Sequence, residues 1–133
     1  MIQLYTNMNT MIKATNIELT HAIQEYVDKR MESVYKVLND PHATVRFEVG
    51  KTTNHHNKGE LFQAEVDIAS RGNKFFSRSI KEDLYSAIDD VKEEIIGNIS
   101  SFKDRKESLY RRGARSVKKM FKGISARNPF TSK

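Results

Sequence analysis

Between Arg105 and Lys122 the chain sets Arg105, Lys106, Arg111, Arg112, Arg115, Lys118, Lys119 and Lys122 against a single acid, Glu107. Cations at this density do one kind of chemistry. They neutralise a polyanion, either nucleic-acid phosphate or an anionic membrane surface. The basicity is local. From Lys103 to Lys133 there are eleven Lys or Arg against Asp104 and Glu107, a balance of +9; the preceding 102 residues hold twelve against fifteen acids, a balance of −3. By composition alone a solubilising tail would look the same, so the pattern around the cations has to decide.

Other chemistry finds few residues to carry it. His55 and His56 are neighbours in a polar stretch, so their side chains diverge, and no Cys stands near to complete a metal site. His21 and His42 fall at element boundaries and read as surface residues. Asp89, Asp90, Glu93 and Glu94 follow helical spacing and read as a solvated face. No Gly-rich phosphate loop, nucleophile elbow or triad pattern is present, which argues against an enzyme and gives no cofactor a place. The absence of Cys excludes a disulfide framework and agrees with a reducing cytoplasm. The first residues lack the basic leader and apolar run of a signal peptide, and no stretch approaches the roughly 18 apolar residues of a membrane span.

The elements that must position the cations can be read from periodicity. A short strand is expected over Met11–Thr15, preceded by an N-terminal arm, residues 1–10. Ile23, Val27, Met31, Val34 and Leu38 recur at spacings of four, four, three and four, the apolar stripe of a helix from Thr20 to Leu38. Thr20 is its expected N-cap and Asn39-Asp40-Pro41 its stop. Val45, Phe47 and Val49 alternate with polar residues, as do Phe62, Ala64, Val66 and Ile68, so each is a strand with one buried face. Arg71-Gly72-Asn73 turns the chain into a last strand, Lys74–Ser79. The outward positions Thr44, Arg46, Glu48, Gln63, Glu65 and Asp67 offer no aromatic platform on which bases could stack.

Ser79-Ile80-Lys81-Glu82 fits a capping box, and Leu84, Ile88, Val91, Ile95, Ile99 and Phe102 continue as a helical stripe. Some thirty residues of helix would be about 45 Å long, more than a four-stranded sheet covers, so the turns bearing Lys103, Arg105, Lys106, Arg111 and Arg112 are expected to project. Beyond them Val117, Met120, Phe121 and Ile124 fall at i, i+3, i+4 and i+7, flanked by Arg115, Lys118, Lys119 and Lys122. That predicts a separate, short basic amphipathic helix stopped by Gly123 or Pro129. It could lie on an anionic membrane, dock in a protein groove or fold against RNA. The order strand, helix, three strands, helix requires the first helix as a crossover to a parallel strand pair. The expected fold is α+β: a two-layer βαβββα sandwich, a four-stranded mixed sheet with both helices on one face, over residues 11–106. A basic C-terminal extension, 107–133, follows.

Two stretches carry a resemblance. Asn16-Ile17-Glu18-Leu19-Thr20, followed by Ala22-Ile23 and Tyr26-Val27, resembles the opening of the ribosome hibernation promoting factor family, which includes protein Y. Glu82-Asp83-Leu84-Tyr85-Ser86-Ala87-Ile88-Asp89 resembles its most recognisable motif, at the start of the second helix. The resemblance implies a cytoplasmic, non-enzymatic, cofactor-free domain in the mRNA and tRNA channel of the small ribosomal subunit, silencing translation in resting cells. It implies ribosomal RNA and neighbouring proteins as partners, with no small-molecule substrate. Long members add a ribosome-pairing domain; a chain of this length resembles the short form, expected to be monomeric off the ribosome. Arg30 matches a basic family position, and Lys92 lies one turn before one. Where the family continues its second helix with a Lys-Leu-x-Arg-Gln run and then alternating Lys, this chain has Glu94, Ile95, Gly97, Asn98 and Ser101; only Lys103 and Arg105 keep the basic pattern. A reading from another class is an adaptor whose basic arm docks on an anionic membrane or an acidic protein.

Overall fold

The computed structural model describes residues 2–7, 10–52 and 59–127; for 2–7 and 119–127 only the course of the backbone is described. Five strands and two helices follow in the order β1 (Ile2–Asn7), β2 (Thr10–Thr15), α1 (His21–Leu38), β3 (Thr44–Thr52), β4 (Leu61–Ser70), β5 (Asn73–Lys81) and α2 (Leu84–Arg127). The strands lie in the sheet in chain order, with β2 and β3 parallel and every other pair antiparallel. The expected four-stranded mixed sheet is β2 to β5. The segment read as an arm adds a fifth strand, β1, along the edge of β2, its Tyr5 opposite Ile12 and Thr6 opposite Met11.

Each element has a local cause. The Thr20 hydroxyl accepts from the Ile23 amide at 3.2 Å and caps α1. Asn39 ends the helix in the left-handed region at φ 49°, its amide donating to the Tyr35 carbonyl. Arg71 reaches back across the fold to donate to the Asn39 carbonyl at 2.6 Å. Between β4 and β5, Arg71 and Gly72 both have positive φ (50° and 79°), the backbone of a two-residue hairpin whose twist matches its strands. Gly50 faces Thr15 across the parallel pair, and a Cβ there would sit 2.9 Å from the Thr15 carbonyl oxygen.

The core lies between the sheet and the two helices. Ile12, Val45, Phe47, Val49, Val66 and Ile68 from the strands meet Val27, Met31 and Val34 from α1 and Ile88, Val91, Ile95 and Ile99 from α2 in one buried cluster. The stripes read from the sequence are buried along α1, β3 and Leu84 to Ile99 of α2, whereas Phe62 and Phe102 are only partly buried. Thr10 and Tyr35 share a 2.7 Å hydrogen bond that ties β2 to α1.

Two expectations are corrected. Ser79 does not cap α2: it lies within β5, and Asp83 takes the capping role. The Asp83 carboxylate accepts from the Ser86 amide at 3.0 Å and its carbonyl from the Ala87 amide at 3.1 Å. The basic amphipathic segment is not a separate helix either. The helical backbone of α2 continues through Gly113 and Gly123 to Arg127, since a glycine lowers helix propensity without forbidding a helix.

The chain divides into two compact units, Met1–Ile99 and Ser100–Lys133. This boundary is also the charge boundary, since no charged residue lies between Ile99 and Lys103.

Candidate nucleic-acid interface

Two of the expected phosphate contacts lie in the first unit, and both are engaged there. The Arg30 guanidinium lies 4.2 Å from the centroid of the Tyr26 ring, one turn earlier on α1. Its Nε donates to Asp89 Oδ1 at 2.7 Å and its Nη2 to the Tyr26 hydroxyl at 2.9 Å. That hydroxyl donates in turn to both Asp89 oxygens at 2.8 Å. Tyr85 packs edge-on against Tyr26 with ring centroids 4.7 Å apart. Burial alone would raise the Asp89 carboxyl, but the hydrogen bonds from Arg30 and Tyr26 together outweigh it and hold the group below 3.8. The same contact with Asp89 pushes the Arg30 guanidinium up, and burial beside that carboxylate raises the Tyr26 hydroxyl. Arg30 is therefore first a clasp between α1 and α2, with 31% of its side-chain surface left open. Lys92 pairs with Glu93 at 2.8 Å and is only 22% exposed.

The remaining cations belong to the second unit. Lys103, Arg105, Lys106, Arg111, Arg112, Arg115 and Lys118 are all exposed along α2. Glu107 accepts from Arg111 at 2.6 Å, an i, i+4 pair that offsets one of the charges. Lys119 and Lys122 lie on the helix, and their side chains fall outside the described residues. His55 and His56 also lie outside the described residues. His21 pairs with Glu25 at 3.0 Å, and both His21 and His42 are exposed.

The acidic run on α2 proves to be more than a solvated face. Asp89 holds Arg30; Asp90 accepts from the buried Ser79 hydroxyl at 2.6 Å, with the Lys81 ammonium 4.0 Å away. Glu94, Gly97 and Ser101, which stand where the resemblance expects cations, are all exposed.

The open sheet face carries alternating charge. Across the strands one row reads Met11, Arg46, Asp67, Phe76 and the next Lys13, Glu48, Glu65, Arg78. A shallow hollow of about 350 Å³ is lined by these rows except Arg78. Phe76, 54% exposed, is the aromatic that periodicity did not place. In β5 hydropathy and burial are inverted: Ser77 and Ser79 face the core while Phe76 and Ile80 face out. The register opposite β4 would have revealed this, the hydropathy of β5 alone would not. One aromatic among three carboxylates does not make a stacking platform.

The description "Sigma 54 modulation protein / S30EA ribosomal protein" belongs to the family whose sequence model matches residues 10–107. The chain belongs to that family. The match begins at the first residue of β2 and stops inside α2, so β1 and the helix beyond Glu107 lie outside it. A ribosome hibernation promotion factor from Lactococcus lactis subsp. cremoris (strain MG1363) is 27% identical over 94 residues, which cover 71% of this chain and 49% of that protein. The chain thus spans about half the length of this curated relative. Among solved structures, the N-terminal domain of Thermus thermophilus Protein Y is similar with a TM-score of 0.54 at 22% identity, over 73% of this chain and 99% of that one. A ribosomal subunit interface protein from Coxiella burnetii gives 0.50 at 11% identity, over 71% and 93%. At these identities the two structures establish the fold.

Proposed function

We propose that this chain is a ribosome hibernation factor that binds the small ribosomal subunit in the mRNA and tRNA channel near the decoding centre and inhibits translation by occupying it. The observation that carries the reading is the family match over 10–107, which contains the whole of β2 to β5 and the first turns of α2. The names of the relatives, a hibernation promotion factor and a subunit interface protein, point the same way. The action asks for no catalytic group. It asks for shape and for electrostatic attraction to RNA, and the exposed cations of α2 supply the second.

The contacts would be with phosphate rather than with bases, since the sheet face offers carboxylates where an RNA-reading sheet offers rings. Lys103, Arg105 and Lys106 are the leading contacts because they stand on α2 inside the family match and are exposed. Arg111, Arg112, Arg115, Lys118, Lys119 and Lys122 add long-range attraction. Arg30 and Lys92 contribute with what their partners leave uncovered.

The test is a sucrose gradient of stationary-phase lysate probed for the protein. Co-migration with small subunits or whole ribosomes, abolished in high salt, is the expected result. A protein confined to the top of the gradient at low salt would sink the proposal.

A further inference from the structure

The second unit has a face that phosphate does not explain. Leu109, Tyr110 and Val117 are 64%, 78% and 50% exposed, the most open run of large apolar residues among the described residues. On a helix turning about 100° per residue, these three occupy an arc of about 100°. Gly113 sits within that arc, and nothing lies within 4 Å of where its Cβ would be. Arg111, Arg112, Arg115 and Lys118 occupy the opposite arc, about 120° wide. The sequence continues the spacing with Met120, Phe121 and Ile124 on the apolar phase and Lys119 and Lys122 on the basic one, and the helical backbone runs through all of them.

Three partners can be weighed by chemistry. RNA answers the cations and leaves the apolar arc in water. A second copy would answer the apolar arc, but it would bring two segments of +9 together over one narrow stripe. An anionic lipid surface answers both, because its headgroups take the charge and its acyl boundary takes the apolar arc. Among the described residues no helix is long and apolar enough to cross a membrane, so the contact would lie in the interface plane.

We infer that α2 from Leu109 onward is an amphipathic element that binds anionic membrane surfaces, with Leu109, Tyr110 and Val117 entering the interface. Charge and spacing alone leave a membrane, a protein groove and RNA open for this segment; the exposure of these three side chains favours the membrane. The inference does not depend on the ribosome proposal, because the residues that decide it are apolar and that proposal makes no use of them.

The test is co-sedimentation of the full chain with vesicles of phosphatidylcholine alone or of phosphatidylcholine with phosphatidylglycerol. The expected result is retention on the anionic vesicles only. The double variant Leu109→Ser, Val117→Ser should lower the partition constant at least about tenfold, since each side chain moves into the acyl boundary on binding. Both residues are exposed, so the fold should survive the change, and an unaltered circular-dichroism melt of the same variant would verify that. No retention on anionic vesicles would overturn the inference. So would retention that the double variant leaves unchanged, which would make the segment a purely electrostatic rail better suited to RNA.

Discussion

Gly97 offers the sharpest handle on how α2 works, because its replacement separates helix stability from charge. It lies thirteen residues inside a helix of 44, it is exposed, and nothing stands within 4 Å of an added Cβ. Glycine in such a position costs about 0.8–1.0 kcal/mol relative to alanine. For a folded unit of about 100 residues each kcal/mol moves Tm by about 4–8 °C, so Gly97→Ala should raise it by about 3–8 °C. Gly97→Arg should give nearly the same gain, since arginine is almost as good a helix former, and it adds one cation. In ribosome binding the two should part. Gly97→Ala should leave affinity unchanged, while Gly97→Arg should raise it at low salt and steepen log K against log salt by about 0.7–0.9 if the new cation meets a phosphate. Adding Glu94→Lys and Ser101→Lys, which share its helical face at i, i+3 and i+7, brings the total gain to four charges and should enlarge the effect in a chain ending at Lys106. Thermal unfolding by circular dichroism and filter binding to purified small subunits give the two readouts. A fall in Tm for Gly97→Ala would refute the helix argument. Equal gains in binding for Ala and Arg would refute the electrostatic one.

Three further outcomes are expected. Removing residues 107–133 takes away eight Lys or Arg, and the salt dependence of ribosome binding, followed by filter binding, should flatten by about 0.7–0.9 for each phosphate that is no longer neutralised. Phe47 is 1% exposed at the centre of the sheet, so Phe47→Ala should cost about 3–5 kcal/mol in urea unfolding. The Asp40 carboxyl is held below 3.8, chiefly by the Ser70 hydroxyl and the His42 amide, and that of Asp89 lies below 3.8 as well. A carboxyl depressed in the folded state lends stability that is fully present above its ordinary value and lost as pH falls through the folded one. Tm should therefore hold steady with respect to these two groups above pH 3.8 and drop below it, and Asp89→Asn should make the acid limb shallower.

The sequence was most legible where one face of an element is buried and its period is regular. The α1 stripe, the Thr20 cap and the alternation in β3 and β4 all follow that rule, and the core is built from them. β5 resisted because its buried positions are serines, one of them serving Asp90, while its exposed ones are Phe76 and Ile80. The same serine imitates a cap for α2, since Ser79 three residues before Glu82 has the spacing of a capping box whatever its backbone does. The six residues of β1 lack a regular alternation and give no period to judge; its pairing to β2 is a tertiary fact. Gly123 reads as a stop in the sequence, but a glycine lowers helix propensity without forbidding a helix. For the candidate interface, the cations of α2 could be counted in advance. The clasp on Arg30 could not, because Asp89 stands 59 residues away in the chain.

Occupancy of the decoding channel, as proposed, is read out by the binding of mRNA and initiator tRNA to purified small subunits. With the protein raised to saturation at low salt, both ligands should be displaced in step with its own retention on the subunit. Added salt should restore them as the protein leaves. If subunits that demonstrably carry the protein still bind mRNA and tRNA in full, the protein sits elsewhere on the particle and the account is contradicted.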